Sequence, residues 1–191
     1  NGFVDIELVA PHSKMIHLSL ADGSEDVALV DAVTLVNDFV GNRMPVDPKN
    51  LRQLLVCVAR PDTIGVSSIA GLHTTCDVDE DAAILVRCGD GGRWTNAPIA
   101  PGLYRNVPVV EVTRIGLGEE IDLVGPTTLS FDGDREHQIS AEEPVVAVVR
   151  RDGPRVVNVG VALAAGASQG IFFSDSDDDP SLGNSPAADG V

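Results

Sequence analysis

The chain is short of aromatic residues, of lysine and of positive charge, and each shortage excludes something. Aromatics make up 4% of the 191 residues, with one Trp, one Tyr and five Phe. Val, Ile, Leu and Ala must therefore fill any core. Among thirteen basic residues only Lys14 and Lys49 are lysine; twenty-nine acidic residues bring the formal net charge to −16. Such a surface repels a phosphate backbone, so no nucleic-acid partner is expected. An anionic membrane is disfavoured on the same ground, and no apolar run is long enough to span a bilayer. Abundant acid with almost no lysine suits a salt-loving (halophilic) source, where salt screens the repulsion between carboxylates. The plainer alternative is an acidic cytosolic protein.

Cysteine is also scarce. Cys57, Cys76 and Cys88 are an odd count, and no basic-then-apolar leader opens the sequence NGFVDIELV. They are expected to be reduced thiols in a cytoplasmic protein. The spacing of His73, Cys76 and Cys88, with Cys57 as a fourth candidate, matches no zinc finger or ribbon. Buried small hydrophobes are the better reading, and no metal site is expected.

What the chain does have is apolar content of 43%, with nineteen Gly and twelve Pro. That is enough core for a domain, cut by many turns, and it favours β structure. Alternation predicts strands over residues 3–9, 16–20, 27–36, 54–59, 107–117, 120–124 and 127–131. Asp22-Gly23-Ser24 reads as a hairpin turn. Gly89-Asp90-Gly91-Gly92 reads as another between strands 83–88 and 94–97, and Asp152-Gly153-Pro154 as a third between 144–150 and 155–159. Pro48 permits a helical turn over 51–55. A short helix is expected over 161–169. The fold class that follows is mainly β, a two-layer antiparallel sandwich-like domain over 1–173 with a short C-terminal helix. Residues 174–191, SDSDDDPSLGNSPAADGV, read as a disordered acidic tail. The sequence enters alternation at once, which suggests that something upstream has been cut away.

Phe131-Asp132-Gly133-Asp134-Arg135-Glu136 carries the densest chemistry. On the residues alone it is a hairpin, because Asp-Gly suits the two positive-φ positions of a type I′ turn. Three carboxylates beside one Arg exceed what a turn needs. Ser67 and Ser68, between Gly65 and Gly71, can hydrogen-bond phosphate or hydroxyl oxygens, or simply cap a strand. A Ser-His-Asp hydrolase using either serine with His73 or His137 lacks the G-x-S-x-G elbow.

The apolar-Phe-Asp-Gly hairpin is similar to a late motif of NAD kinases. Its FDG-x-RE form resembles more closely the acetoin-catabolism X proteins, an ATP-NAD kinase-like branch. Ala97-Pro98-Ile99-Ala100-Pro101-Gly102 resembles the Pro-Ile-x-Pro block leading into that family's last strands. Residues 64–71 resemble its small-residue pocket loop, and 28–33 stand where NAD kinases carry a ribose-binding Asn-Glu pair. Ile171-Phe172-Phe173 also resembles the branch. Departures include Val30-Asp31 in place of Asn-Glu, and no Tyr in the pocket loop.

The resemblance implies the acceptor-binding half of an ATP-dependent small-molecule kinase. NAD is the default acceptor, and a polyol or another nucleotide is the alternative. Asp31 would hold acceptor hydroxyls, Ser67 and Ser68 would lie beneath, and the Asp132-Gly133 turn would close the pocket. Gly65, Gly71 and Arg135 have lesser roles. No catalytic residue is expected in this chain. The family's Gly-Gly-Asp-Gly-Thr loop belongs to an N-terminal α/β domain lacking here, and Gly89-Asp90-Gly91-Gly92 only looks like it. ATP and Mg²⁺ would bind mainly to that domain, and the chain alone would be inactive. A homo-oligomer is expected. Two other readings are a lipid or sphingoid kinase half and a non-catalytic binding or regulatory module.

Overall fold

The computed structural model describes residues 5–36 and 47–173. The acidic tail from Ser174, and Phe3 and Val4, lie outside the described residues. The chain divides into two units, one spanning His12–Pro154 and the other made from the segments on either side of it.

The larger unit is mainly β, with two antiparallel sheets. A four-stranded sheet has the order β2 (Glu25–Ala28), β1 (Met15–Ser19), β10 (Val145–Arg150), β7 (Glu120–Leu123). A six-stranded sheet has the order β6 (Leu103–Gly116), β5 (Ala82–Ala100), β4 (Leu51–Val56), β3 (Asp31–Leu35), β8 (Thr127–Phe131), β9 (Arg135–Ile139). The middle of the large sheet is buried on both faces, which is why its strands read as unbroken apolar runs. Leu55, Cys57, Ala83 and Leu85 share one cluster with Ile16, Leu18, Ala147 and Val149 of the small sheet. Leu54, Val56, Ile84 and Val86 pack in a second cluster with Val66, Ile69 and Ala70, from the segment around the single turn of helix α2 (Ser68–Gly71). Burying each large side chain contributes about 1.5–3 kcal/mol.

Two buried polar side chains tie these layers together. Gln53 of β4 donates to the Asp122 carbonyl at 3.0 Å and accepts from Val124 N–H at 2.9 Å. Lys14 Nζ donates to the carbonyls of Asp77 and Ala82, each at 2.8 Å, and approaches Cys76 Sγ at 3.4 Å.

Several expectations need correction. The stretch 27–36 is two strands in different sheets, because β2 pairs with β1 while β3 pairs with β4 and β8. Gly89-Asp90-Gly91-Gly92 is no hairpin. Cys88 and Arg93 both pair with Val109, so the four residues loop out of one long β5 as a bulge. Gly91 takes φ +80° there, and Gly92 passes so close to the Pro108 backbone that no Cβ would fit. The same glycines that permit a turn thus permit a bulge, and the strand then resumes its pairing. Residues 51–55 are strand, and the turn lies before them as a 3-10 segment at Pro48–Asn50. The chain after β10 makes no return strand, and from Val159 it forms helix α3 (Val159–Ser168). Residues 6–9 form a helical turn, α1 (Ile6–Val9), capped by Asp5, which accepts from Glu7 N–H at 3.0 Å. Asp5 is a good N-cap and its local bond outweighs a short alternating pattern.

Candidate functional site

Asp31 opens β3, a central strand of the large sheet, at the point where the chain crosses over from β2 of the small one. The crossing is the two-residue step Leu29-Val30, whose side chains are exposed. Its backbone is held from both sides. Val30 C=O accepts from Cys57 N–H at 3.1 Å. Leu29 and Val30 N–H both donate to the Asp132 carboxylate, at 2.9 and 2.8 Å to Oδ1.

Asp132 in turn sits at the tip of the β8–β9 hairpin. It has φ +52° and Gly133 has φ +74°, the pair of positive values a type I′ turn requires. Its N–H donates to the Asp31 carbonyl at 3.1 Å, so the hairpin tip and the start of β3 are bonded directly. Arg135 completes the arrangement. Its guanidinium donates to Asp26 at 2.6 Å, to the Val27 carbonyl at 2.7 Å and to Asp132 Oδ2 at 3.0 Å, and lies 4.6 Å over the Phe131 ring. Both Asp132 oxygens are therefore occupied within the protein. Asp132 and Arg135 hold the crossing in place, and Asp31 stands beside it as a nearly buried carboxyl.

Ser67 lies near enough to the Asp31 carboxyl to ease its ionisation, so the structure brings these two expected site residues together. Burial, with the Asp132 charge adding to it, pushes the Asp31 carboxyl up to about 6, and the Ser67 hydroxyl offsets only part of that rise. An almost buried carboxylate of this kind forms strong bonds to hydroxyl donors once ionised. Ser68 differs from its neighbour. Its side chain is buried, and its hydroxyl donates to the Gly65 carbonyl at 2.7 Å within its own loop.

The remaining glycines are placed by backbone needs. Gly65 has φ +109°, and its N–H donates to the Pro98 carbonyl at 2.9 Å, which joins the serine loop to the Pro98-Ile99-Ala100-Pro101 block. Gly71 faces the Arg60 backbone with no room for a Cβ. Cys57 is the buried small side chain that the sequence led us to expect. Its thiol is buried within electrostatic range of Asp31 and Asp132, and burial raises it to about 12. Cys88 is raised to about 12 by burial as well, and all three cysteines are free and buried. His73 accepts from or donates to Thr95 Oγ1 at 2.7 Å, and burial followed by the Arg93 charge lowers its affinity for a proton.

A broad cleft of about 980 Å³ lies elsewhere, between β7 and the β4–β6 face, and contains none of the expected site residues. Its arginines are engaged, Arg87 with Glu111 at 2.9 Å and Arg52 with the Lys49 and Leu51 carbonyls. Among the described residues no group of three or more His, Cys, Asp or Glu is placed to hold a metal ion.

Residues 14–152 match the family model described as the acetoin catabolism protein X C-terminal domain. The chain belongs to this family. It is also similar to acetoin catabolism protein X of Cupriavidus necator, with 30% identity over 159 residues. The match takes in 79% of this chain but only 44% of that relative, so the chain spans less than half the length of the curated protein it resembles. Asp31, Cys57, Ser67, Asp132 and Arg135 all fall inside the matched segment of this acetoin catabolism protein X domain.

Proposed function

We propose that this domain is the acceptor-binding part of an ATP-dependent small-molecule kinase, with NAD as the leading acceptor. The observation that carries the reading is Asp31, a nearly buried carboxyl beside Ser67 at the start of a central strand. A carboxylate there accepts from one or two acceptor hydroxyls, and the exposed Leu29 and Val30 offer apolar surface beside it. Asp132 and Arg135 hold the crossing so that Asp31 is presented in a fixed position. Phosphoryl transfer depends chiefly on positioning and on electrostatic stabilisation of the moving group. This domain supplies positioning of the acceptor. ATP and its Mg²⁺ belong to an N-terminal α/β domain of the intact protein, and the chain alone has no kinase activity.

Thermal-shift measurements on the chain with NAD, NADP, ATP and sorbitol test this directly. A rise in melting temperature with NAD, and none with ATP, is expected, because a ligand that binds only the folded state stabilises it. A rise with sorbitol in place of NAD would move the acceptor to the polyols. Silence across the panel would replace the kinase reading with a regulatory module that has kept the sandwich alone.

A further inference from the structure

The smaller unit is built from the segments that flank the β unit on both sides. Val156 N–H donates to the Pro11 carbonyl at 3.1 Å and Asn158 N–H to the Val9 carbonyl at 2.8 Å, so the outgoing and returning segments run side by side. Arg155 fastens them, donating to the Ala10 carbonyl at 2.9 Å and pairing with Glu7. Asn158 then caps α3 by accepting from Val161 N–H at 3.1 Å. The family match stops at residues 14 and 152, short of both helices.

The sequence of α3, VGVALAAGAS, has no charged residue and is apolar on every side. Such a helix belongs inside a protein. Within this unit only Gly166 of α3 is buried, while Leu163 is 54% exposed and Phe173 82% exposed. Ile6, Leu8, Val159, Ile171 and Phe172 are exposed as well. An apolar surface of this extent marks an interaction site, and a ten-residue helix with two glycines is marginal without one.

We infer that α1 and α3 are two edges of a second domain into which the β unit is inserted, and that the remaining polypeptide of the intact protein covers their apolar surface. This rests on the reading that a further domain completes the protein. The length outside the match supports that occupant: the 159 matched residues are 44% of the Cupriavidus necator relative, which leaves more than half its chain, enough for a core of its own. The acidic sequence from Ser174 is chemically unsuited, since Leu182 and Val191 are its only large apolar residues. Chain leaving the second domain through α1 would form the β unit and return through α3.

Hydrogen exchange read by mass spectrometry, on this chain and on the intact protein, both without ligand, tests the inference. The amides of Val159–Ser168 are expected to exchange about tenfold or more slowly in the intact protein, while those of β4 are unchanged. Leu163→Glu in the intact protein should restore fast exchange in α3 alone. Equal exchange of α3 in the two wild-type proteins would overturn the inference. So would protection of α3 in this chain accompanied by a doubled mass in light scattering, which would make a second copy the occupant. Neither arm involves NAD, so a failure to bind NAD would overturn the functional proposal and leave this result standing.

Discussion

Asp31→Asn is expected to make the protein more stable at neutral pH. The unfolded carboxyl titrates near 3.8 and the folded one near 6. Between those values the folded state binds the extra proton. Stability linked to this group is therefore present at pH below 3.8 and is lost as pH rises through 6. Above that range ionised Asp31 destabilises the fold by about 3 kcal/mol. An amide of the same shape has no charge to bury and keeps an oxygen for Ser67. Urea denaturation should show the variant ahead by about 3 kcal/mol at pH 7.5 and by about half of that at pH 5. Equal stability of variant and wild type at both pH values would show that Asp31 is not held in the low-dielectric setting described. A residue whose charge weakens the fold, yet is placed at its centre, is what a functional carboxyl looks like.

Asp132→Ala is expected to have the opposite sign and a larger size, a loss of about 4 kcal/mol. Bonds to an ionised acceptor contribute about 1.5–3 kcal/mol each, and water at the exposed Leu29 and Val30 offsets part of their loss. The positive φ adds about 1 kcal/mol for alanine, because its Cβ is crowded there. Asp132→Asn tolerates that φ and keeps one acceptor oxygen, so it should lose about half as much. Denaturation of the three proteins side by side checks the order. An Asp132→Ala protein as stable as wild type would leave the strand crossing without its proposed strut.

Much of this was legible beforehand for a local reason. The Asp22-Gly23-Ser24 turn and the Asp132-Gly133 tip need positive φ at residues that tolerate it, and such chemistry acts within four residues. The short helix near 161–169 was found two residues late, since Val159 continues the apolar pattern backward. The break at Leu29-Val30 was not legible. Nothing in ALVDAV interrupts an apolar run except Asp31, and the bonds that end β2 come from Asp132, about a hundred residues away. The bulge at Gly89–Gly92 failed for a related reason, because its partner at Pro108 and Val109 decides whether glycines reverse the chain or loop out of it. In the site, the association of Asp31, Ser67 and the Asp132 hairpin was implied by the family resemblance of their motifs and not by the residues alone. The division of labour was not, since it depends on which carboxylate has spent its oxygens on the backbone.

Calorimetric titration of NAD into the wild-type chain and into Asp31→Asn, at pH 7.5, tests the central claim most directly. Saturable binding to wild type is expected, with about a hundredfold weaker binding to the variant from the loss of two or so hydrogen bonds to a charged acceptor. Wild-type affinity should also fall as the pH is lowered through about 6. NAD binding of equal strength to both proteins would contradict it, and would move the acceptor away from Asp31.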